Sequence, residues 1–186
     1  MSKHSKHANQ VRIIGGSCRG RKIRFLSADG LRPTADMVRE RLFNWLGQDL
    51  TGLKVLDLFA GSGVLGLEAA SRNARHVVMV EKYKDSSRLL QQNAVELELQ
   101  DKITVASQDA LNYLKSSGEK FDVVFLDPPY IWEDWEILFE VLEKCLSEKA
   151  MVYIEAANMP PIPQWLYLHR KGKSGKSLFE VRIYQP

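Results

Sequence analysis

Lys54-Val55-Leu56-Asp57-Leu58-Phe59-Ala60-Gly61-Ser62-Gly63-Val64-Leu65-Gly66-Leu67-Glu68-Ala69-Ala70 is the stretch that decides the fold. Residues 54–59 read as a short buried strand, and the glycines that follow open directly into an apolar helix. Strand, tight turn and helix in that order predict an α/β domain with a parallel sheet. The rest of the chain repeats the alternation. His76–Val80, Ile103–Ala106, Phe121–Leu126 and Met151–Glu155 are further strands. Helices are predicted over 64–70, 86–99, 110–114 and 135–146. Trp165–Leu168 and Leu178–Tyr184 then form an antiparallel hairpin, joined through a turn over Arg170–Lys176. Seven strands result, mostly parallel, with the hairpin at the carboxyl end.

Acidic residues fall where these strands stop. Gly61-x-Gly63-x-x-Gly66 matches the dinucleotide fingerprint by letter. A pyrophosphate, however, wants bare amides without a fixed negative charge beside them. Asp57 ends the first strand, so a ligand with a cationic end fits better, such as the ammonium and sulfonium of S-adenosylmethionine. Phe59, Ala60, Gly61 and Gly63 would line its approach. Glu81 ends the second strand, 20 residues past Gly61, at the spacing of an acid that takes ribose hydroxyls. Lys82 or Tyr83 would flank the adenine. Asp109, with Ala110 after it, follows the third strand; it could accept the adenine amino group or simply cap the next helix.

Leu126-Asp127-Pro128-Pro129-Tyr130 closes the fourth strand. The two prolines fix φ, remove two donors and leave carbonyls as acceptors. A carboxylate, a rigid carbonyl and a ring in sequence suit a planar molecule bearing an NH₂ group. Asp127, Pro128, Pro129 and Tyr130 are therefore the candidate catalytic set. The bland alternative is a strand-to-loop turn.

Composition limits the class. Hydrophobic residues make up 45% and charged residues 26% of the 186, as in ordinary globular proteins. No apolar run reaches the roughly 18 residues that span a membrane. The amino terminus lacks the apolar stretch of a secretory signal. Cys18 and Cys145 fit no metal spacing, and a reduced cytoplasmic setting is expected. The net charge is +3, unevenly placed: residues 1–41 hold ten Lys/Arg against three acids, and the remainder is acidic by four. A basic arm on an acidic body points to a nucleic-acid partner.

That arm begins with a polar, basic tail over 1–10, expected to be disordered. Residues 11–50 form a hairpin and a helix, and 51–186 form the main domain. Val11–Gly16 and Lys22–Phe25 are the hairpin strands. Thr34 is the expected N-cap of a helix that ends near Gly47, with Val38, Leu42, Trp45 and Leu46 facing the body. Arg12, Arg19, Arg21, Lys22, Arg24, Arg32 and Arg39 are candidate RNA contacts. Lys173 and Lys176 of the late turn could touch RNA or blunt a sheet edge.

Asp57-x-Phe59-Ala60-Gly61-Ser62-Gly63 together with Asp127-Pro128-Pro129-Tyr130 resembles the S-adenosylmethionine-dependent N-methyltransferases of exocyclic amines. The front end, Arg12-Ile13-Ile14-Gly15-Gly16…Arg19-Gly20-Arg21-Lys22 and Leu31-Arg32-Pro33-Thr34…Val38-Arg39-Glu40…Leu42-Phe43-Asn44-Trp45-Leu46, narrows this to the bacterial 16S rRNA guanine-N2 methyltransferases. The resemblance runs over about residues 11–186. It implies a Rossmann-like class I methyltransferase fold, S-adenosylmethionine as cofactor, no metal, and transfer to N2 of guanine 966 in the small ribosomal subunit. By motif, Asp57, Gly61, Gly63 and Glu81 would hold the cofactor, and Asp127, Pro128 and Tyr130 the guanine. Some relatives have Phe in place of Tyr130, which makes the ring the expected requirement. The substrate is 16S rRNA, in an assembled or assembling subunit, and the protein is expected to act as a monomer. Competing readings are a DNA adenine or cytosine N-methyltransferase, a nicotinamide-dependent oxidoreductase, and an RNA-binding module without catalysis.

Overall fold

The computed structural model describes residues 9–26 and 33–186. Most of the expected tail and Arg32 lie outside that range. The first elements are β1 (Asn9–Arg12) and β2 (Lys22–Phe25), paired antiparallel with Val11 opposite Ile23. Helix α1 (Asp36–Leu46) follows. The chain then alternates β3 (Lys54–Asp57), α2 (Val64–Ser71), β4 (His76–Val80), α3 (Lys84–Glu96), β5 (Ile103–Ala106), α4 (Ala110–Ser116), β6 (Phe121–Leu126) and α5 (Trp135–Leu142). Strands β7 (Leu146–Ala156), β8 (Leu166–Ser174) and β9 (Ser177–Tyr184) complete it.

The sheet order is β5-β4-β3-β6-β7-β9-β8. The first five are parallel, and β9 runs antiparallel between β7 and β8. From β3 the chain works outward to β5, then crosses back to place β6 on β3's other side. This reversal opens a crevice at the carboxyl ends of β3 and β6, the place where open α/β sheets bind ligands.

Alternation along the strands feeds two cores. Val55, Val123, Phe125 and Tyr153 face one side, with α1, α2, α3 and the β1–β2 hairpin. Leu56, Val124, Leu126, Val152 and Ile154 face the other, with α4 and α5. Ile13, Ile23, Leu42 and Phe43 belong to the first core, so the amino-terminal elements share the core of the sheet.

Three expectations change. Thr34 does not cap α1: Ala35 occupies the cap position without a side-chain bond, and the Thr34 hydroxyl points elsewhere. Arg39 is not an RNA contact, because it is fully buried. Its guanidinium donates to Glu68, Asp36 and the carbonyls of Arg12 and Thr34. The long turn over Arg170–Lys176 is mostly strand. Strand β8 continues to Ser174, leaving Gly175-Lys176 as the loop. A strand at the sheet edge keeps one side in water and tolerates lysines there.

The Gly15-Gly16 break also has a structural cause. Glu68, itself fully buried, accepts the amides of Ile14 and Gly15 and the side chains of Arg39 and Arg72. Gly16 has φ 74°, and a Cβ there would lie 1.9 Å from the Ser71 carbonyl oxygen. The glycines let the hairpin turn close onto the end of α2.

Candidate active site

The site is assembled from strand ends. Asp57 is the last residue of β3 and only 2% exposed. Its Oδ2 accepts the Gly66 amide at 3.0 Å, which ties the strand end to the first turn of α2. A Cβ on Gly66 would press on the Met79 side chain at 2.8 Å and on that same oxygen at 3.1 Å, so this bond needs glycine. Burial raises the Asp57 carboxyl to about 7; the Gly66 amide opposes this, and the charge of Glu81 adds to it.

The Gly-rich turn runs from β3 across the end of β4. Ala60 donates its amide to the Val80 carbonyl at 2.9 Å, and Gly61 donates to Glu81 Oε2 at 3.0 Å. Glu81 Oε1 accepts the Tyr83 amide at 2.9 Å. Glu81 is thus held by backbone on both oxygens, each with a lone pair left for a hydroxyl. Phe59 meets Trp132 edge to face at 5.0 Å, joining this turn to the loop after β6. Lys82 is exposed, its ammonium 4.9 Å from the Tyr83 ring. Asp109 caps α4 by accepting the Asn112 amide at 3.1 Å, and Ala110 is buried behind it. The cap role is therefore occupied, on one oxygen only.

Asp127 follows β6 directly. The Leu58 amide donates to the Phe125 carbonyl at 3.2 Å, which pins the β3 end to β6 just before it. Burial and the charges of Glu155 and Asp57 hold the Asp127 carboxyl well above its ordinary value, against the hydrogen bond from Thr34. That bond runs from Thr34 Oγ1 to Asp127 Oδ2 at 3.4 Å. The prolines divide their tasks: the Pro129 carbonyl accepts the Trp132 amide at 2.9 Å and closes a turn. Pro129 is therefore a shaping residue, contrary to the expectation that its carbonyl is free. Among the described residues, no backbone donor outside the helices and strands reaches the Pro128 carbonyl. Tyr130 and Ile131 project outward, 66% and 88% exposed. Beside them lies a cleft of about 490 Å³ lined by Pro128, Tyr130, Trp132, Glu155 and Met159.

Four acids, Asp57, Glu81, Asp127 and Glu155, thus gather along one edge of the sheet. Among the described residues, none of them pairs with Lys or Arg. Unbalanced negative charge of this kind is costly unless a cation joins it. An ammonium-sulfonium ligand meets that condition, whereas a pyrophosphate does not.

The basic residues divide by position. Arg21 and Arg24 bond Glu96 in the last turn of α3, at the end that returns toward the amino ends of the strands, away from the crevice. Arg12 pairs with Asp36 at 2.8 Å, while Arg19 and Lys22 are exposed on the hairpin. Lys173 and Lys176 belong to the β8–β9 hairpin, whose loop sits beside the carboxyl end of β7, on the crevice edge. Arg41 joins them, its guanidinium 5.9 Å from the Phe179 ring centroid.

Sequence reasoning missed Thr34, Trp132 and Glu155. Glu155 carried a usable signal, because it ends the predicted fifth strand as Asp57 and Asp127 end theirs. Thr34 carried none, since its partner lies 93 residues away.

The chain is similar to proteins already known. Ribosomal RNA small subunit methyltransferase D of Escherichia coli K12 is 38% identical over 183 residues, covering 96% of this chain and 91% of that one. The protein of the same name from Haemophilus influenzae is 38% identical over 184 residues, covering 95% and 94%. The solved structure of yhhF from Escherichia coli superposes with a TM-score of 0.85 at 34% identity, covering 95% of this chain and 99% of that chain. Residues 11–184 match the family model described as conserved hypothetical protein 95. The chain therefore belongs to that family, the one that holds the ribosomal RNA small subunit methyltransferase D proteins.

Proposed function

We propose that this protein transfers a methyl group from S-adenosylmethionine to the exocyclic N2 of a guanine in 16S rRNA. It acts in the cytoplasm, as a monomer, on an assembled or assembling small subunit. The observation that carries this reading is the pairing of Asp127-Pro128-Pro129-Tyr130 with Asp57 across the crevice between β3 and β6. The names of its relatives support the rRNA substrate and disfavour DNA.

S-adenosylmethionine, when bound, supplies a methyl group on a positively charged sulfur. Asp57 and the glycine turn would hold its cationic end, and Glu81 its ribose hydroxyls. Guanine N2 is a poor nucleophile because its lone pair is delocalised into the ring. The Asp127 carboxylate and the Pro128 carbonyl accept its two protons, which favours a pyramidal nitrogen with its lone pair exposed. Tyr130 stacks on the base once it has left its own stack. When the N–C bond forms, the methyl's bond to sulfur breaks, its electron pair stays on sulfur, and N2 sheds one proton. The raised proton affinity of Asp127 suits it to receive that proton at a carboxylate oxygen. Positioning of both reactants supplies much of the rate.

The test uses methyl-labelled S-adenosylmethionine with unmodified small subunits, naked 16S rRNA and duplex DNA, followed by digestion to nucleosides. The reading expects label in N2-methylguanosine from rRNA. Label confined to methyladenine or methylcytosine, or absent, contradicts it.

A further inference from the structure

We propose that Glu155 is a second base-reading carboxylate, which accepts the N1–H of the target guanine and excludes bases that lack this proton. The inference rests on the guanine-N2 reading above and adds the residue that selects the base.

Register places Glu155 beside Asp127. Strands β6 and β7 are parallel, with Phe125 opposite Tyr153 and Leu126 opposite Ile154. The next residues on the two strands are Asp127 and Glu155, on chains about 4.8 Å apart. The Phe125 and Tyr153 rings meet edge to face at 6.3 Å on one side of the sheet. Two residues on, Asp127 and Glu155 return to that side. Glu155 lines the same cleft as Pro128 and Tyr130.

Its carboxylate is also oriented. Oε2 accepts the Tyr153 hydroxyl at 2.8 Å, and Oε1 accepts the Ser177 hydroxyl at 2.7 Å. Both donors sit on buried residues. Burial and the adjacent carboxylates hold the Tyr153 phenol well above its ordinary value, so it remains a donor. Each oxygen keeps a lone pair beyond the one it uses for these hydroxyls. A purely structural acceptor for two hydroxyls needs no charge. A second carboxylate facing Asp127 adds repulsion that only further donors offset.

Guanine supplies those donors. Its edge presents N1–H next to the two N2 protons, three donors in a row. The Asp127 carboxylate, the Pro128 carbonyl and the Glu155 carboxylate make three acceptors. Adenine N1 and cytosine N3 offer a lone pair at the corresponding place, which Glu155 repels. Sites built to hydrogen-bond a substrate donor reject analogues lacking it strongly, on the order of 100-fold or more.

The experiment uses small subunits reconstituted with guanine or 2-aminopurine at the methylated position. 2-Aminopurine keeps the amine but has a bare N1. The wild-type enzyme is expected to prefer guanine by about 100-fold in kcat/KM. Glu155→Gln, which offers an N–H to the bare N1, is expected to lower guanine methylation by about 100-fold and to raise methylation of 2-aminopurine. S-adenosylmethionine affinity of the variant, read by calorimetry, is expected to stay unchanged. Equal use of both bases by the wild-type enzyme overturns the proposal whatever the variant does. An equal loss on both bases in Glu155→Gln also overturns it and makes Glu155 structural. A wild-type product other than N2-methylguanosine overturns the parent reading instead.

Discussion

At the residue scale, the proposed function gives the two aspartates different work in similar surroundings. Asp57 is pushed up to about 7 by burial, so without a cation beside it the carboxyl is partly protonated at neutral pH. A cationic ligand stabilises the ionised form, so binding expels a proton below that pH. Affinity for S-adenosylmethionine should therefore rise about tenfold per pH unit up to about 7 and then level off. Calorimetry from pH 5.5 to 8.5 reads this directly, and a flat profile contradicts it. The sign for stability is the reverse. A raised folded-state value means stability is lost as pH climbs from the ordinary carboxylate range toward 7. Thr34 acts on Asp127: among the described residues, its hydroxyl is the contact that favours the ionised form. Thr34→Val should move the acid limb of the pH–rate profile to higher pH, with kcat recovering above that limb. An unshifted limb argues that this 3.4 Å contact is idle. Asp57, Glu81 and Asp127 were legible because an acid at a strand's end needs only local sequence to be seen. Arg39 was misassigned because its basicity is local, but its burial depends on Glu68, 29 residues away.

At the scale of elements, Glu68 fastens the amino-terminal hairpin to the sheet. It is wholly buried among two guanidinium groups and two backbone amides. Removing one partner of a buried charge pair costs about 3–5 kcal/mol because the other charge is left uncompensated. Glu68→Ala should lower the thermal midpoint by roughly 6–20 °C, with hydrogen exchange rising first in β1 and β2. A midpoint within about 2 °C of wild type contradicts this role. The inner parallel strands β3, β4 and β6 were readable because both their faces are buried and their sequences are nearly continuously apolar. Strand β8 was not. Arg170, Lys171, Lys173 and Gly172 look like a loop, and only pairing with β9 at an exposed edge makes them strand. A bulge between Leu168 and Arg170 further breaks the alternation that marks a half-buried strand.

At the scale of the whole molecule, charge and topology separate the reactants. The acidic crevice takes the cationic methyl donor, while Arg41, Lys173 and Lys176 form a basic rim on the same edge. On the proposed function, this rim would draw the RNA and the target base alone would enter the acidic cleft. The Lys173→Ala/Lys176→Ala double variant should raise KM for RNA about tenfold and reduce its salt slope by about two, leaving cofactor affinity unchanged. Arg21→Ala, at the far end of α3, should do less. Equal effects from both would move the RNA path away from the β8–β9 hairpin. The overall architecture was legible from the order of strands and glycine turns. This rim was not, because it joins residues from both ends of the chain.

On the proposed function, chemistry takes place at Asp127, in a crevice whose cofactor half is separate. The most direct measurement compares wild type and Asp127→Asn in single-turnover methyl transfer to unmodified small subunits, with S-adenosylmethionine affinity measured on the same samples. The account predicts a rate loss of about 10²–10³-fold with affinity within about threefold of wild type. A near-normal rate, or a loss accounted for by weaker cofactor binding, would contradict it.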